Sequence, residues 1–122
     1  MHYTFFLYSD ESQMKDIKPE EMQQMLQVFG AYIGQLKQAG IFVHTDWLNP
    51  STSATTISLR TGSKVVHDGP YADTKEQLGG IFIIDVPDLD TALAWAEKCP
   101  AAHYGTIEVR ASAMPPGGNP HA

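Results

Sequence analysis

Apolar residues in the first third of the chain follow two different spacings. Residues Tyr3 to Tyr8 form a short aromatic-rich run, which predicts a buried strand. A polar stretch follows, and Pro19 and Gly40 then occupy the positions typical of a helix start and a helix end. The apolar residues between them recur at helical spacing, which predicts one long helix: Met22, Met25, Leu26, Phe29, Ile33 and Leu36.

Apolar and polar residues alternate in the middle of the chain, as they do in half-buried strands. Residues 41–48 and 55–60 are predicted strands, and 64–67 can return as the second arm of a hairpin across Thr61-Gly62-Ser63. Asp68-Gly69-Pro70 then predicts a turn. Residues 71–78 mix charged and small polar side chains, so we expect them to continue the loop.

The continuous apolar run at 81–86 predicts a central strand that is covered on both faces. The pair Gly79-Gly80 before it fits a β-bulge better than a phosphate-binding loop. Asp88 is a plausible N-cap for a second helix that ends at Cys99-Pro100. Residues 106–110 form a last predicted strand.

This order of elements predicts an α+β domain of ferredoxin-like type over residues 1–110. Residues 111–122 contain three prolines and two glycines, so we expect a flexible C-terminal tail. Helices would cover one face of the sheet and leave the other face apolar and open. Large apolar surfaces usually mark an interface, so we predict a homodimer that pairs through its sheets.

Composition restricts the possible partners and the compartment. The chain has 122 residues, of which 43% are hydrophobic and 18% charged, as in a globular domain. A net charge of -6 and scattered basic residues argue against nucleic-acid binding. The single cysteine excludes an intrachain disulfide, and no apolar run resembles a signal peptide or a membrane span. We therefore expect a cytoplasmic protein that does not bind membranes.

His44 and Asp46 stand two residues apart on a predicted strand, so both should point to the same face. This spacing can supply two metal ligands, or a base with its orienting carboxylate. A polar stripe at the edge of a strand would have the same pattern. Because no third ligand is recognisable, we predict neither a metal site nor a cofactor, and we keep both residues as substrate-binding candidates.

The loop that begins at Asp68 carries the other candidate residues. Asp68 can accept hydrogen bonds from its own turn, or it can act as a general acid or base if it is partly buried. Tyr71 and Lys75 can orient a polar or anionic substrate, and Glu76 adds a second carboxylate. Loops at strand ends often hold binding groups, although most such side chains are only solvated.

Five segments carry a resemblance to a known family. The longest is the run from Asp68 to Gly80, DGPYADTKEQLGG, which is similar to the motif of the DGPF branch of the YCII-related proteins, with Tyr71 where many members have Phe. The resemblance covers roughly residues 3–110. It continues through the remaining segments, which are 84–90, 94–96, 99–102 and 107–110.

The resemblance implies a dimeric α+β barrel, and members of the group are often encoded beside extracytoplasmic-function sigma factors. Type members of the wider family have a helix histidine, and an aspartate before the proline that follows the second helix, as a proposed active-site pair. Here those positions fall near Phe29 and at Cys99, so the resemblance implies that this chain does not use that pair.

Three hypotheses about function follow. The first is an enzyme-like protein that binds a small molecule near the Asp68 loop, with Asp68 as the catalytic residue. The alternative is a non-catalytic module for ligand sensing or protein interaction, associated with sigma-factor regulation. In the third, the polar residues of the motif only fix a long loop.

Overall fold

The computed structural model describes residues 1–114, and within them the chain forms six strands and two α-helices. The predicted tail therefore lies mostly outside the described residues. No helix in the described part combines the length and the apolar character that a membrane crossing requires. In chain order the elements are β1 (His2–Ser9), α1 (Pro19–Gln38), β2 (Phe42–Trp47), β3 (Thr55–Ser58), β4 (Val65–Asp68), β5 (Gln77–Asp85), α2 (Leu89–Lys98) and β6 (Thr106–Ala111).

Four of the strands form one antiparallel sheet in the order β2-β5-β1-β6. Strands β3 and β4 form a separate hairpin, which is inserted between β2 and β5. Without that hairpin, the chain runs strand, helix, strand, strand, helix, strand, with the first and third of these strands at the centre. The predicted α+β, ferredoxin-like fold is therefore confirmed.

The core lies between one face of the sheet and the two helices. Phe5, Phe82 and Ile84 are fully buried on the central strands. From α1, Phe29 stacks on Phe82 with ring centroids 6.4 Å apart, and Tyr32 meets the same ring edge-on at 5.3 Å. Each such side chain contributes about 1.5–3 kcal/mol when it is fully buried, so this layer is the main source of stability.

The predicted ends of both helices are confirmed by their caps. Gly40 follows α1 with a φ of +74°, and its N–H donates to the Lys37 carbonyl while that of Ile41 donates to Leu36. These two bonds are the Schellman pattern, which favours glycine because of the positive φ. Asp88 caps α2 and accepts a hydrogen bond from the Thr91 N–H at 2.8 Å.

The predicted apolar stripe of α1 differs from the observed one at three positions. Met22 and Leu26 are exposed, whereas Tyr32, which the predicted stripe did not include, is buried. The Tyr32 hydroxyl donates to the Trp95 carbonyl at 2.8 Å, so the phenol joins α1 to α2. Burial raises the pKa of Tyr32, which stays neutral at ordinary pH.

Strand β5 begins at Gln77, four residues before the predicted start, because a bulge lets pairing continue through the two glycines. Leu7 pairs with Gly80 and Tyr8 pairs with Leu78, so Gly79 is the extra residue. The predicted bulge is confirmed. It shifts the alternation of side chains and pairs Gln77 with Ser9 at the end of β1.

The second face of the sheet is less apolar than predicted. Its centre holds Phe6, Ile81 and Ile83, all partly exposed. Ionisable residues lie on the outer strands, namely His44 and Asp46 on β2 and the ion pair of Glu108 with Arg110 on β6. Side chains on outer strands have fewer apolar neighbours, so charged residues can lie there on both sides of the apolar centre.

The hairpin β3–β4 has no buried residue of its own. Ile57 and Val66 pair across the two strands, yet each is more than half exposed. An isolated two-stranded ribbon is only marginally stable in water. The hairpin therefore depends on its attachment at both ends, or on a further surface that covers it.

Candidate functional site

A cleft of about 950 Å³ opens where the hairpin meets the body of the domain. Its walls come from the end of β1 and the segment after it, the first half of α1, the end of β2 and the turn after β4. This volume lies within the range of small-molecule sites in proteins, roughly 300–1,000 Å³. The cleft includes the Asp68-Gly69-Pro70 turn, which the sequence indicated as the candidate loop.

The floor of the cleft is apolar. Phe29 and Trp47 both line it and meet edge to face, with ring centroids 5.1 Å apart. The exposure of Met22 on α1 now has an explanation, because this side chain faces the cleft rather than the core. Methionine side chains adapt their shape to different ligands. The large apolar side chains of the lining are Leu7, Met14, Met22, Met25, Phe29, Trp47 and Leu48.

One wall of the cleft is fixed by Glu11, which lies in a short 3₁₀ helix at Glu11–Met14. The Ser51 amide and hydroxyl both donate to the Glu11 carboxylate, at 2.8 and 2.7 Å. The Glu11 N–H in turn donates to Oε1 of Gln77 at 3.0 Å. Glu11 therefore ties together three segments that are distant in sequence, and the bulge at Gly79 is what pairs Gln77 with this end of β1.

Asp10 adds a second carboxylate beside Glu11. The hydroxyl and the N–H of Ser12 donate to it, at 2.6 and 3.0 Å. The Ser12 hydroxyl and then the Ser12 amide lower the pKa of Asp10 from its ordinary value of 3.8, with a small further effect of the Lys75 charge. This exposed carboxylate is ionised at neutral pH.

The Asp68-Gly69-Pro70 turn is held by its backbone. Gly69, with a φ of +122°, donates from its N–H to the Ala54 carbonyl at 2.6 Å and accepts from the Thr56 hydroxyl at 2.7 Å. A residue other than glycine would be strained at this φ. Within residues 1–114, the Asp68 carboxylate has no hydrogen bond of its own. It lies exposed at the cleft wall.

His44 and Asp46 do share one face of β2, as their spacing indicated. That face is the second face of the sheet, where they lie opposite Ile83 and Ile81. Neither residue lines the cleft. The structure thus separates them from Asp68.

The other predicted residues of the loop lie outside the cleft lining as well. Tyr71 and Lys75 are exposed to solvent. Glu76 accepts a hydrogen bond from the Thr106 hydroxyl at 2.8 Å and so links the start of β5 to β6. Of the six predicted site residues, Asp68 alone belongs to the lining of this cleft.

Several lining residues were not among the predicted site residues. His67 precedes Asp68, and Asp73 lies in the loop after it. Tyr104 comes from the segment before β6, where burial raises the pKa of its phenol and keeps the group neutral. The sequence did indicate binding residues in the stretch after β1. Asp10 precedes a helical turn at the end of a central strand, and loops at such positions often hold binding groups.

Cys99 is fully buried, and this burial raises the pKa of its thiol to about 11. The thiol is therefore protonated at neutral pH, the form in which cysteine is a poor nucleophile. Phe29 lies in the cleft floor. The resemblance places a helix histidine near this residue, and Phe29 itself is apolar and faces the cleft.

Within the described residues, no three side chains of His, Cys, Asp or Glu are grouped in a way that would hold a metal ion.

Comparisons with known proteins agree with this architecture. The YCII-related domain matches residues 1–112. A protein of Rhizobium meliloti (strain 1021), described as uncharacterised, is 36% identical over 116 residues, which are 93% of this chain and 94% of that protein. The match spans both the sheet and the inserted hairpin. The chain belongs to the YCII-related family.

Proposed function

We propose that the chain binds a small organic molecule in the cleft beside the Asp68-Gly69-Pro70 turn. The observation that carries this proposal is one cavity that combines an apolar floor with several polar groups at its walls. Binding sites for small molecules typically have this composition. The position of Phe29 in the floor supports the same location, because the resemblance places a site residue of the wider family near it.

Asp68 is the residue that we assign to contact the bound molecule. Its carboxylate is at the cleft wall and accepts no hydrogen bond from residues 1–114, so it is available to a ligand. The turn itself is held by Gly69 and Thr56. Because other residues hold the turn, the loop does not need the Asp68 carboxylate to keep its shape. This supports a functional role for Asp68.

The assignment to the DGPF branch belongs to the same proposal. The run from Asp68 to Gly80 supports it, and the fold explains why two positions of that run are glycine. Gly69 takes a positive φ, and Gly79 is the extra residue of the bulge.

A thermal-shift screen of a metabolite library tests the binding proposal, with the wild type, Asp68→Asn and Asp46→Asn in parallel. Asp46 lies on the other face of the sheet, so Asp46→Asn controls for loss of one charge. We expect a ligand that raises the melting temperature of the wild type and of Asp46→Asn but raises that of Asp68→Asn much less. A ligand that loses its effect only in Asp46→Asn would place the site on the sheet face instead.

Incubation of the protein with such a ligand, followed by mass spectrometry, separates catalysis from sensing. Product that forms with the wild type and not with Asp68→Asn, at ligand concentrations that saturate both proteins, would make Asp68 a catalytic residue. An unchanged ligand that still stabilises the fold would favour the sensing module, for which sigma-factor regulation is the candidate context.

A second function, self-association, is favoured by a separate observation. Phe6, Ile81 and Ile83 form a partly exposed apolar centre on the second face of the sheet, and charges flank it on both sides. We propose that two copies pair through this face. Sedimentation equilibrium should give the dimer mass for the wild type and the monomer mass for Ile83→Glu, which would bury a charge. A wild type that stays monomeric at every concentration would contradict the proposal.

A further inference from the structure

We propose that the cleft selects organic cations, and specifically an amine on an aromatic or aliphatic body, over anions of the same shape. This inference rests on the proposed function and names the ligand class of that same site. It differs from the expectation drawn from the sequence, in which Lys75 and Tyr71 orient an anionic or polar substrate.

The charges at the cleft walls are the first argument. Four carboxylates line the cleft and one ammonium group does, which gives a formal charge of -3: Asp10, Glu11, Asp68 and Asp73 against Lys15. Lys75 lies outside the lining but acts on Asp10. When it is counted as well, the carboxylates still exceed the ammonium groups by two. A cleft lined mainly by one sign of charge attracts ligands of the opposite sign.

The carboxylates are also held in place on one side of the cleft. Ser51 holds Glu11 with two hydrogen bonds, and Ser12 holds Asp10 in the same way. Fixed acceptors lose little side-chain entropy when a ligand binds. The Asp68 carboxylate has no such bond within residues 1–114, so it can turn toward the ammonium group of a ligand.

Trp47 is the second argument. Its ring contacts Phe29 at the cleft floor but is 42% exposed. Elsewhere in the described chain, three aromatic rings lie under a cationic side chain: Phe42 under Lys37, Trp95 under Lys98 and Phe6 under Arg110. Trp47 has no such partner within residues 1–114. An indole face is the strongest aromatic partner for a cation.

These two features complement each other in one ligand. The apolar body of an amine would lie on the floor of methionine, phenylalanine and tryptophan side chains. Its ammonium group would reach the carboxylates at the wall and donate charge-assisted hydrogen bonds to them. An anion of the same shape would meet several carboxylates and one lysine.

Three probes that differ in charge and share an indole body test this selection. They are tryptamine (cation), tryptophol (neutral) and indole-3-acetate (anion). In titration calorimetry at pH 7 and low salt, we expect tryptamine to bind best and indole-3-acetate worst, with about a tenfold difference or more between them. The difference should shrink as salt is added, since salt screens exposed charges.

Asp73→Asn and the matched variant Asp46→Asn test whether the preference for the cation comes from the carboxylates of the cleft. Asp73→Asn removes one cleft carboxylate and should reduce the preference for tryptamine over tryptophol several-fold. Asp46→Asn removes the same charge on the far face of the sheet and should leave that preference unchanged. Equal effects of the two variants would indicate attraction by net charge alone and would overturn the inference.

The possible failures are distinguishable. If indole-3-acetate or tryptophol binds as well as tryptamine, the cation selection is wrong, while binding in the cleft stands. If none of the three probes binds at millimolar concentration, the inference is also overturned, and the library screen then decides the proposed function by itself.

Discussion

Similar side chains are buried in the sheet-and-helix body and exposed in the hairpin β3–β4. Ile84 in the body is fully buried, whereas Ile57 in the hairpin is 62% exposed. Both are isoleucines on antiparallel strands with apolar neighbours. The body has two helices to cover its sheet, and the hairpin has no layer above it among the described residues.

This difference separates residues that stabilise the fold from residues that are free for contacts. Apolar side chains contribute to folding in proportion to the surface that they bury. The hairpin residues bury little, so stability alone does not require them. The cleft lies at the junction of the two regions and takes its floor from the body and part of its walls from the hairpin.

The sharpest test of this comparison is one substitution made in both regions. Ile84→Ala should lower the free energy of unfolding by about 2–5 kcal/mol, since it opens a cavity in the core. Ile57→Ala should change it by less than about 0.5 kcal/mol, as is usual at exposed positions. Urea denaturation at a concentration where the chain is monomeric measures both. Similar losses at the two sites would mean that the hairpin belongs to the cooperative core.

A second matched pair uses two glycines of the body. A Cβ at Gly105 would lie 2.1 Å from the Tyr8 carbonyl oxygen, and backbone cannot move aside easily. Gly105→Ala should therefore destabilise by about 3 kcal/mol.

Gly34 is the control for that substitution, because a Cβ there meets nothing within 4 Å. Gly34→Ala in the interior of α1 should stabilise by up to about 1 kcal/mol, since alanine favours helix. Thermal denaturation of both variants gives the comparison. If Gly105→Ala is no less stable than Gly34→Ala, the segment before β6 does not approach β1 closely.

Removal of a tyrosine hydroxyl should change stability less than the substitutions above, and two tyrosines allow a comparison. Tyr32→Phe removes the buried hydrogen bond to the Trp95 carbonyl and should cost about 1 kcal/mol. Tyr71→Phe, at a side chain that is 79% exposed, should be close to neutral. Chemical denaturation checks both. Equal values would mean that the link from α1 to α2 does not contribute to stability.

The smallest effect concerns pH. Hydrogen bonds from the hydroxyl and then the amide of Thr91 lower the pKa of Asp88 below its ordinary value of 3.8. A group with a lowered pKa contributes stability above its unfolded value and loses it as pH falls through the folded pKa. Wild type and Asp88→Asn should therefore converge in stability below about pH 3.8, because asparagine caps a helix without a charge. A constant difference from pH 7 to pH 2.5 would contradict the role of that carboxylate.

The sequence was a good guide wherever local rules act. The start of α1 at Pro19, the cap at Gly40, the cap at Asp88 and the bulge at Gly79 all follow from the preferences of single residues. The predicted order of strands and helices was correct, because each apolar period matches one element. The later start expected for β5 was wrong, because the bulge allows pairing to continue past the glycines.

The residues of the candidate site were harder to predict from the sequence. Spacing on β2 correctly put His44 and Asp46 on one face, but spacing cannot tell which face meets the helices. Asp10 and Glu11 lie near the first strand, and Asp68 and Asp73 lie about sixty residues later. Only folding makes them walls of one cleft, through contacts such as that of Glu11 with Ser51.

By itself, the sequence determined the helices, the strands, most of their boundaries and the ferredoxin-like class, since these depend on residues a few positions apart. The tertiary structure decided which apolar residues are core and which line a cleft, as the contrast of Phe82 with Met22 illustrates. It also decided the sign of charge that a ligand would meet. Both properties depend on which distant segments lie side by side, and the local pattern of residues does not contain that information.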